Sequence, residues 1–309
     1  MARLFSVFML LALLLSACGG GGTRSLATGE KLIVMASTVH LASIAMAVAG
    51  ADAEVQLLPK EGTDPHSFEA TTDDRRRLER AHILLVNGLK LETFDAPKLA
   101  SAARLTLVDC SAKIPESFLI DDDEKGEEHG HEHEHGHAHG DCDPHVWLST
   151  EGATHQANAV ASAMSALDPA HAEGYRKRAA EFATRLTQLR DDFKQRFAAL
   201  ANTSFITDHD AFAYFAREFG LRNVGFVRKL PGKEPTLEER RTLEKAIRDT
   251  GAKAIFIEPG HDATASEAVA ASVGVKLAQL DPFEIGKPFK SAYEDVMRKN
   301  LGAVLDAMK

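Results

Sequence analysis

Histidine is the residue type that could do chemistry in this chain, with 14 among 309 residues. Six of them, His129, His131, His133, His135, His137 and His139, fall on alternate positions inside Glu127–His145, EEHGHEHEHGHAHGDCDPH. Imidazoles at that density, separated by glycine, glutamate and alanine, have no apolar face to bury. The composition suits a solvated loop that gathers a divalent transition metal. It also suits a plain low-complexity linker or an engineered tag, although a tag is ordinarily terminal and uninterrupted.

The remaining histidines divide by context. His82, His155 and His171 lie in helix-like stretches beside charged or alanine-rich sequence, where a surface or locally satisfied imidazole is the expectation. His40 and His261 sit at strand-to-helix junctions, from which either could approach a site, although neither is expected to be a ligand. Three others share one setting, with an acidic residue or proline before them, a strand upstream and a helix after. They are His66 in TDPHSFE, His145 in CDPHVWL and His209 in TDHDAFAYF; Asp281 in QLDPF occupies the same kind of position after the last strand. Ligands collect beyond the carboxyl ends of strands in open α/β sheets. Three imidazoles and one carboxylate make a tetrahedral donor set suited to zinc.

The elements that must position these residues read as alternating strands and helices. Lys31–Ser37, Glu54–Leu58, Ile83–Asn87 and Leu105–Asp109 have strand character, with helical stretches from Thr38 to Gly50 and from about Thr72. That alternation favours parallel βαβ units. After DPHVWLS, Thr150–Ala166 reads as an alanine-rich helix. Asp168-Pro169 then opens a stripe of Tyr175, Ala179, Phe182, Leu186, Leu189, Phe193, Phe197 and Leu200 in steps of four and three. This predicts one helix of about 40 Å, with a coiled-coil seam as the competing reading. A second set follows: strands at Ser204–Thr207, Val224–Phe226, Ala254–Ile257 and Lys276–Leu280, and helices at Phe212–Phe219, Leu237–Thr250, Ala263–Val273 and Ser291–Met308.

The chain opens with Arg3 and an apolar run from Leu4 to Ala17, a secretory leader too short for a comfortable membrane span. Leu15-Ser16-Ala17-Cys18 resembles a bacterial lipobox, which makes Cys18 the lipidated first residue of the mature protein and Gly19–Gly29 a flexible tether. Plain secretion with cleavage nearby is the alternative. About 290 residues remain, enough for two domains. A net charge of −9 argues against nucleic acid as partner. Cys110 and Cys142 bracket the histidine tract in an oxidising setting. Paired, they close a loop of about 30 residues and contribute roughly 3 to 4 kcal/mol. Alternatively both thiols are metal ligands, or Cys110 is a small buried hydrophobe.

Taken in order, GTDPHSFE, NGLKLE, DPHVWLS, the Asp168-Pro169 opening of the long helix, HDAFAYFAREFGL, IEPG and LDPF resemble the cluster A-I solute-binding proteins of metal ABC transporters, specifically the zinc-uptake type. The resemblance covers about Lys31 to Lys309. It implies an α/β protein of two lobes, each a mainly parallel sheet flanked by helices, joined by one long rigid helix, with metal held between the lobes. The implied organisation is a leader at 1–18, a tether at 19–30, a first lobe at 31–168 with the histidine-rich loop at 121–142, a linking helix at 169–201 and a second lobe at 202–309. The positions matching the family's metal ligands are His66, His145, His209 and Asp281. Manganese-type relatives usually carry a carboxylate where this chain has His209, and an imidazole there favours zinc. Cys110, Cys142 and His40 depart from the family pattern.

The expected activity is capture and delivery, not catalysis. A monomer tethered outside the cytoplasm through Cys18 takes Zn²⁺ between its lobes and hands it to an ABC-type membrane permease. Neutral imidazoles are required, so affinity is expected to fall below about pH 6.5. The tract is expected to concentrate zinc, to receive it from a metallochaperone, or to sense its surplus. Competing readings are a lipoprotein adhesin or metal store holding manganese or another divalent ion, and a secreted zinc hydrolase. Four protein donors would leave a hydrolase no open coordination position.

Overall fold

The computed structural model describes residues 23–121, 142–229 and 233–309. The leader, Cys18 and the six tract histidines lie outside the described residues. The first sheet contains β1 (Leu32–Ala36), β2 (Ala53–Leu57), β3 (Ile83–Val86) and β4 (Thr106–Asp109) in the order β2-β1-β3-β4, with every neighbouring pair parallel. The second contains β5 (Ser204–His209), β6 (Arg222–Arg228), β7 (Ala254–Ile257) and β8 (Lys276–Gln279) in the order β6-β5-β7-β8, again parallel throughout. The two halves of the chain therefore repeat one topology, with a switch point beside β1 and another beside β5. Central strands such as β3, ILLV, are apolar at every position because parallel sheets are covered on both faces.

Helices α1 (Val39–Ala49), α2 (Thr72–Leu78) and α3 (Ala96–Ala103) flank the first sheet. Helices α4 (Thr150–Leu167) and α5 (Ala172–Phe197) follow it, and α6 (Ala213–Phe219), α7 (Leu237–Thr250), α8 (Thr264–Val273) and α9 (Ala292–Met308) belong to the second half. Local signals set several ends. Thr71 with Asp74, and Thr236 with Glu239, form capping boxes at the starts of α2 and α7. Gly251 closes α7 in the left-handed conformation.

The long helix is shorter than expected at both ends. Pro169–His171 forms a 3-10 turn, and α5 runs for 26 residues, about 39 Å. Its stripe is buried as expected from Tyr175 to Phe197. At one end Arg178 binds the Val48 and Ala49 carbonyls and the Asp52 carboxylate. At the other, Phe197 packs edge-on to Phe219 of α6, with centroids 5.9 Å apart. One continuous hydrophobic cluster, including Trp147, Phe182, Phe215 and Tyr293, runs through both halves. Among the described residues no helix is long and apolar enough to cross a membrane.

Candidate metal centre

Three Asp-Pro dipeptides build turns facing the cleft, and all three fold alike. Asp64 Oδ1 accepts the N–H of His66 at 2.8 Å, Asp143 Oδ1 that of His145 at 2.9 Å, and Asp281 Oδ1 that of Phe283 at 2.8 Å. Each carboxylate folds back on its own backbone two residues on, and the proline restricts φ between them. In the first two turns the residue so aimed is the histidine. In the third it is Phe283, at φ 58°, and the next residue, Glu284, enters the cleft with 1% exposure. His209 arrives differently, as the last residue of β5 rather than beyond the strand.

His66, His145, His209 and Glu284 each offer a donor atom, and these atoms all lie within 4.8 Å of one another. The Nε2 atoms of His66 and His145 are each 3.2 Å from Glu284 Oε1, and that of His209 is 3.6 Å from it. Zinc–nitrogen and zinc–oxygen bonds of about 2.0–2.2 Å give a tetrahedron with edges of about 3.3–3.6 Å. The three separations from Glu284 Oε1 bracket that edge, within a donor set spanning at most 4.8 Å. His145 Nε2, His209 Nε2 and Glu284 Oε2 are buried without a hydrogen-bond partner among the described residues. The two imidazole nitrogens face the Glu284 carboxylate without an aligned hydrogen bond, an arrangement of buried donors that a divalent cation fits.

The rings are oriented from behind. Asp143 Oδ1 lies 2.7 Å from His145 Nδ1, and Glu258 Oε1 lies 2.5 Å from His209 Nδ1. A carboxylate on Nδ1 holds the proton there and leaves the Nε2 lone pair for metal. Burial pulls the His145 pKa down, but the Asp143 and Glu284 carboxylates overcome it and the net shift is upward. At His209 burial is likewise outweighed, by Glu258 and Glu284, and its pKa stands well above 6.5. Burial favours the neutral form of Glu284, yet His209, His145 and His66 hold its pKa well below 4.5. Behind the site, Gly260 adopts φ 84°, and a Cβ there would lie 2.5 Å from Ile285 Cδ1. The 258–262 loop thus closes on the residue beside Glu284.

Asp281 does not join the group. Its carboxylate caps the turn, its N–H is held by Asn300 Oδ1 at 2.9 Å, and burial raises its pKa. It is the counterpart of Asp64 and Asp143, not of the histidines. The sequence carried the signal for Glu284: in both DPH segments the cleft-facing side chain follows the dipeptide, and in DPFE the acid after Pro282 is Glu284.

Cys110 and Cys142 are not bonded to each other. Cys110 is 1% exposed in the core, with its Sγ directed to the Val108 carbonyl, and burial raises its pKa well above 9.0. Cys142 lies at the base of the tract in an isolated antiparallel bridge with Asp121, and its Sγ is 3.6 Å from Asp121 Oδ1. His40 is fully buried near the centre without joining it, His261 lies outside the group, and His82 accepts the Ile33 N–H at Nδ1 with its Nε2 3.3 Å from Glu30 Oε1.

The family model described as "Zinc-uptake complex component A periplasmic" matches residues 34–307. The chain is 30% identical over 305 residues to the high-affinity zinc uptake system protein ZnuA of Bacillus subtilis, covering 96% of this chain and 94% of that protein. It is 30% identical over 266 residues to the zinc-binding protein AdcA of Streptococcus pyogenes, covering 82% of this chain but 52% of that one. The chain thus spans about half the length of the AdcA proteins it matches. The structure of the SBP FpvC from Pseudomonas aeruginosa in complex with Mn²⁺ shares 28% identity and a TM-score of 0.75, over 90% of this chain and 98% of that chain.

Proposed function

The chain belongs to the family of periplasmic zinc-uptake complex component A, and on that basis we propose that it captures Zn²⁺ between its lobes and delivers it to an ABC-type membrane permease. The observation that carries this reading is the convergence of His66, His145 and His209 Nε2 on the Glu284 carboxylate. Two of the three rings have their other nitrogen committed to a carboxylate, so the donors are set before the ion arrives. Three imidazoles and one carboxylate form a borderline donor set that suits Zn²⁺ better than Mn²⁺, which favours oxygen-rich coordination. Zinc here is cargo. Four protein donors occupy a tetrahedron and leave no position for a reactive water, which speaks against a hydrolase.

The protein acts outside the cytoplasm as a monomer anchored by lipid on Cys18. The tract from His129 to His139 is an accessory collector of lower affinity that loads the centre, directly or from a metallochaperone. FpvC, whose structure is in complex with Mn²⁺, supports a second reading in which the cargo is another divalent ion.

Competition titration of the soluble form from Gly19 to Lys309, with metal analysis, tests both readings. The expectation is one tight zinc equivalent that survives deletion of Glu127–His139 and disappears in His209→Ala. Full zinc affinity in His209→Ala would sink the assignment, and tighter Mn²⁺ than Zn²⁺ binding would move the cargo to the second reading.

A further inference from the structure

Two of the turns that present donors end in a proline carbonyl, and each carbonyl receives a buried side-chain N–H. Asn87 Nδ2 donates to Pro144 O at 3.0 Å, one residue before His145. Trp147 Nε1 donates to Pro282 O at 2.8 Å, two residues before Glu284. His40 touches both donors. Its ring stacks on the Trp147 indole with centroids 3.9 Å apart and planes 8° from parallel, and its Nε2 lies 3.2 Å from Asn87 Oδ1. All three side chains are fully buried.

The hydrogen bonds leave this cluster little freedom. Asn87 Oδ1 can only accept, and it takes Gln156 Nε2 at 2.8 Å together with His40 Nε2. His40 must therefore carry its proton on Nε2, shared with Thr38 Oγ1 at 3.2 Å. Asn87 Nδ2 uses its second proton on Gly88 O. Burial lowers the His40 pKa to about 3, so the ring keeps one protonation state wherever the imidazole donors can bind metal.

We propose that His40 is a positioning residue: through Asn87 and Trp147 it fixes the separation of His145 from Glu284, and so biases the centre toward a small tetrahedral cation. The two donors stand 3.2 Å apart and come from opposite halves of the chain. A cation that needs longer bonds or more ligands must spread them, which means moving Pro144 against Pro282. The stacked and buried cluster between those carbonyls resists that movement, because close-packed interiors transmit displacement rather than absorb it. The inference rests on the metal-binding reading above and deepens it to selectivity.

The test uses His40→Phe, which keeps an aromatic stack but loses the donor to Asn87, and Trp147→Phe, which keeps a ring but loses the N–H to Pro282. The readouts are the Zn²⁺-to-Mn²⁺ affinity ratio by competition titration and the visible absorption of the Co²⁺-loaded protein, whose intensity reports tetrahedral coordination. Each variant is expected to lower the ratio about 10-fold or more and to weaken the Co²⁺ band. Thermal unfolding of the metal-free proteins identifies a variant that does not fold, and the other then decides. An unchanged ratio and Co²⁺ band in a folded variant overturn the proposal while leaving zinc capture standing. A wild-type protein without one tight zinc equivalent overturns the reading beneath it as well.

Discussion

Glu218, on α6 of the second half, accepts the backbone N–H of Thr150 at 2.7 Å and its hydroxyl at 2.6 Å, so a carboxylate from the second half of the chain caps the first turn of α4 in the first. It also takes the N–H of Glu151 at 3.3 Å. The arrangement satisfies orphan donors at a helix N-terminus and places negative charge where the helix dipole favours it. Glu218→Ala is expected to cost about 2 kcal/mol, as hydrogen bonds to a charged group do. The midpoint of thermal unfolding should fall by about 4–8 °C, with one zinc equivalent still bound. An unchanged midpoint would show that the brace contributes nothing.

Glu284 and Asp281 are separable by mutation. Glu284→Ala removes a donor, and its zinc affinity should drop by more than the roughly 10- to 100-fold typical of losing an outer-shell partner. Asp281→Asn can still accept the Phe283 N–H and should stay within about 10-fold of wild type. Glu258→Gln falls between them. Competition titration ranks all three, and a larger loss for Asp281→Asn than for Glu284→Ala would reverse the assignment.

The electrostatics of the centre give a pH dependence of definite sign. His145 and His209 have raised pKa values in the folded metal-free protein, so between the unfolded value of 6.5 and the folded values the native state holds protons that the unfolded chain releases. Their contribution to stability is complete below about pH 6.5 and declines as pH rises through the folded values. Glu284, shifted down from 4.5, contributes above that pH and is lost as pH falls through its folded value. Zinc must displace the histidine protons, so its affinity should keep rising well beyond pH 6.5, where ordinary imidazoles would level off. Calorimetry at pH 7 in buffers of different ionisation enthalpy should register about one proton or more released per zinc; no release would contradict this picture.

The thiols offer a simple check on the loop base. With no bond between them, a thiol reagent should modify the partly exposed Cys142 before Cys110, which is 1% exposed and should react only after denaturation. Electrophoresis without reductant should show no mobility change. Absence of any reactive thiol in the unfolded chain would restore the disulfide.

Periodicity made much of the fold legible. The α5 stripe emerged from Tyr175 to Phe197, with Leu200 beyond the helix end, because a buried helix face must recur every three to four residues, and both sheets followed from apolar runs separated by helices. His66, His145 and His209 were legible from their strand-end contexts. Asp281 misled because an Asp-Pro carboxylate is chemically fit both to bind metal and to hold its own turn, and only the geometry distinguishes these uses. Cys110 was misplaced for a related reason, since spacing in sequence carries no information about which way a side chain turns. The long-range partners Glu218, Tyr214 and Trp147 had no local pattern at all. Their contacts join residues 68 to 135 positions apart.

The bonds around Trp147 also redraw the boundary between the lobes. Trp147 holds Pro282, Tyr293 donates to the Trp147 and Ser149 carbonyls, and Tyr214 donates to the Asp143 carbonyl. His145 comes from the first half of the chain but is moored to the second, alongside His209 and Glu284. His66, whose side chain is 17% exposed, reaches that trio through the Glu284 carboxylate. Three donors are thus held by the second half and the fourth, His66, is carried by the first: a displacement of the first sheet would strain the His66 contact directly and would reach His145 through the Asn87–Pro144 hydrogen bond.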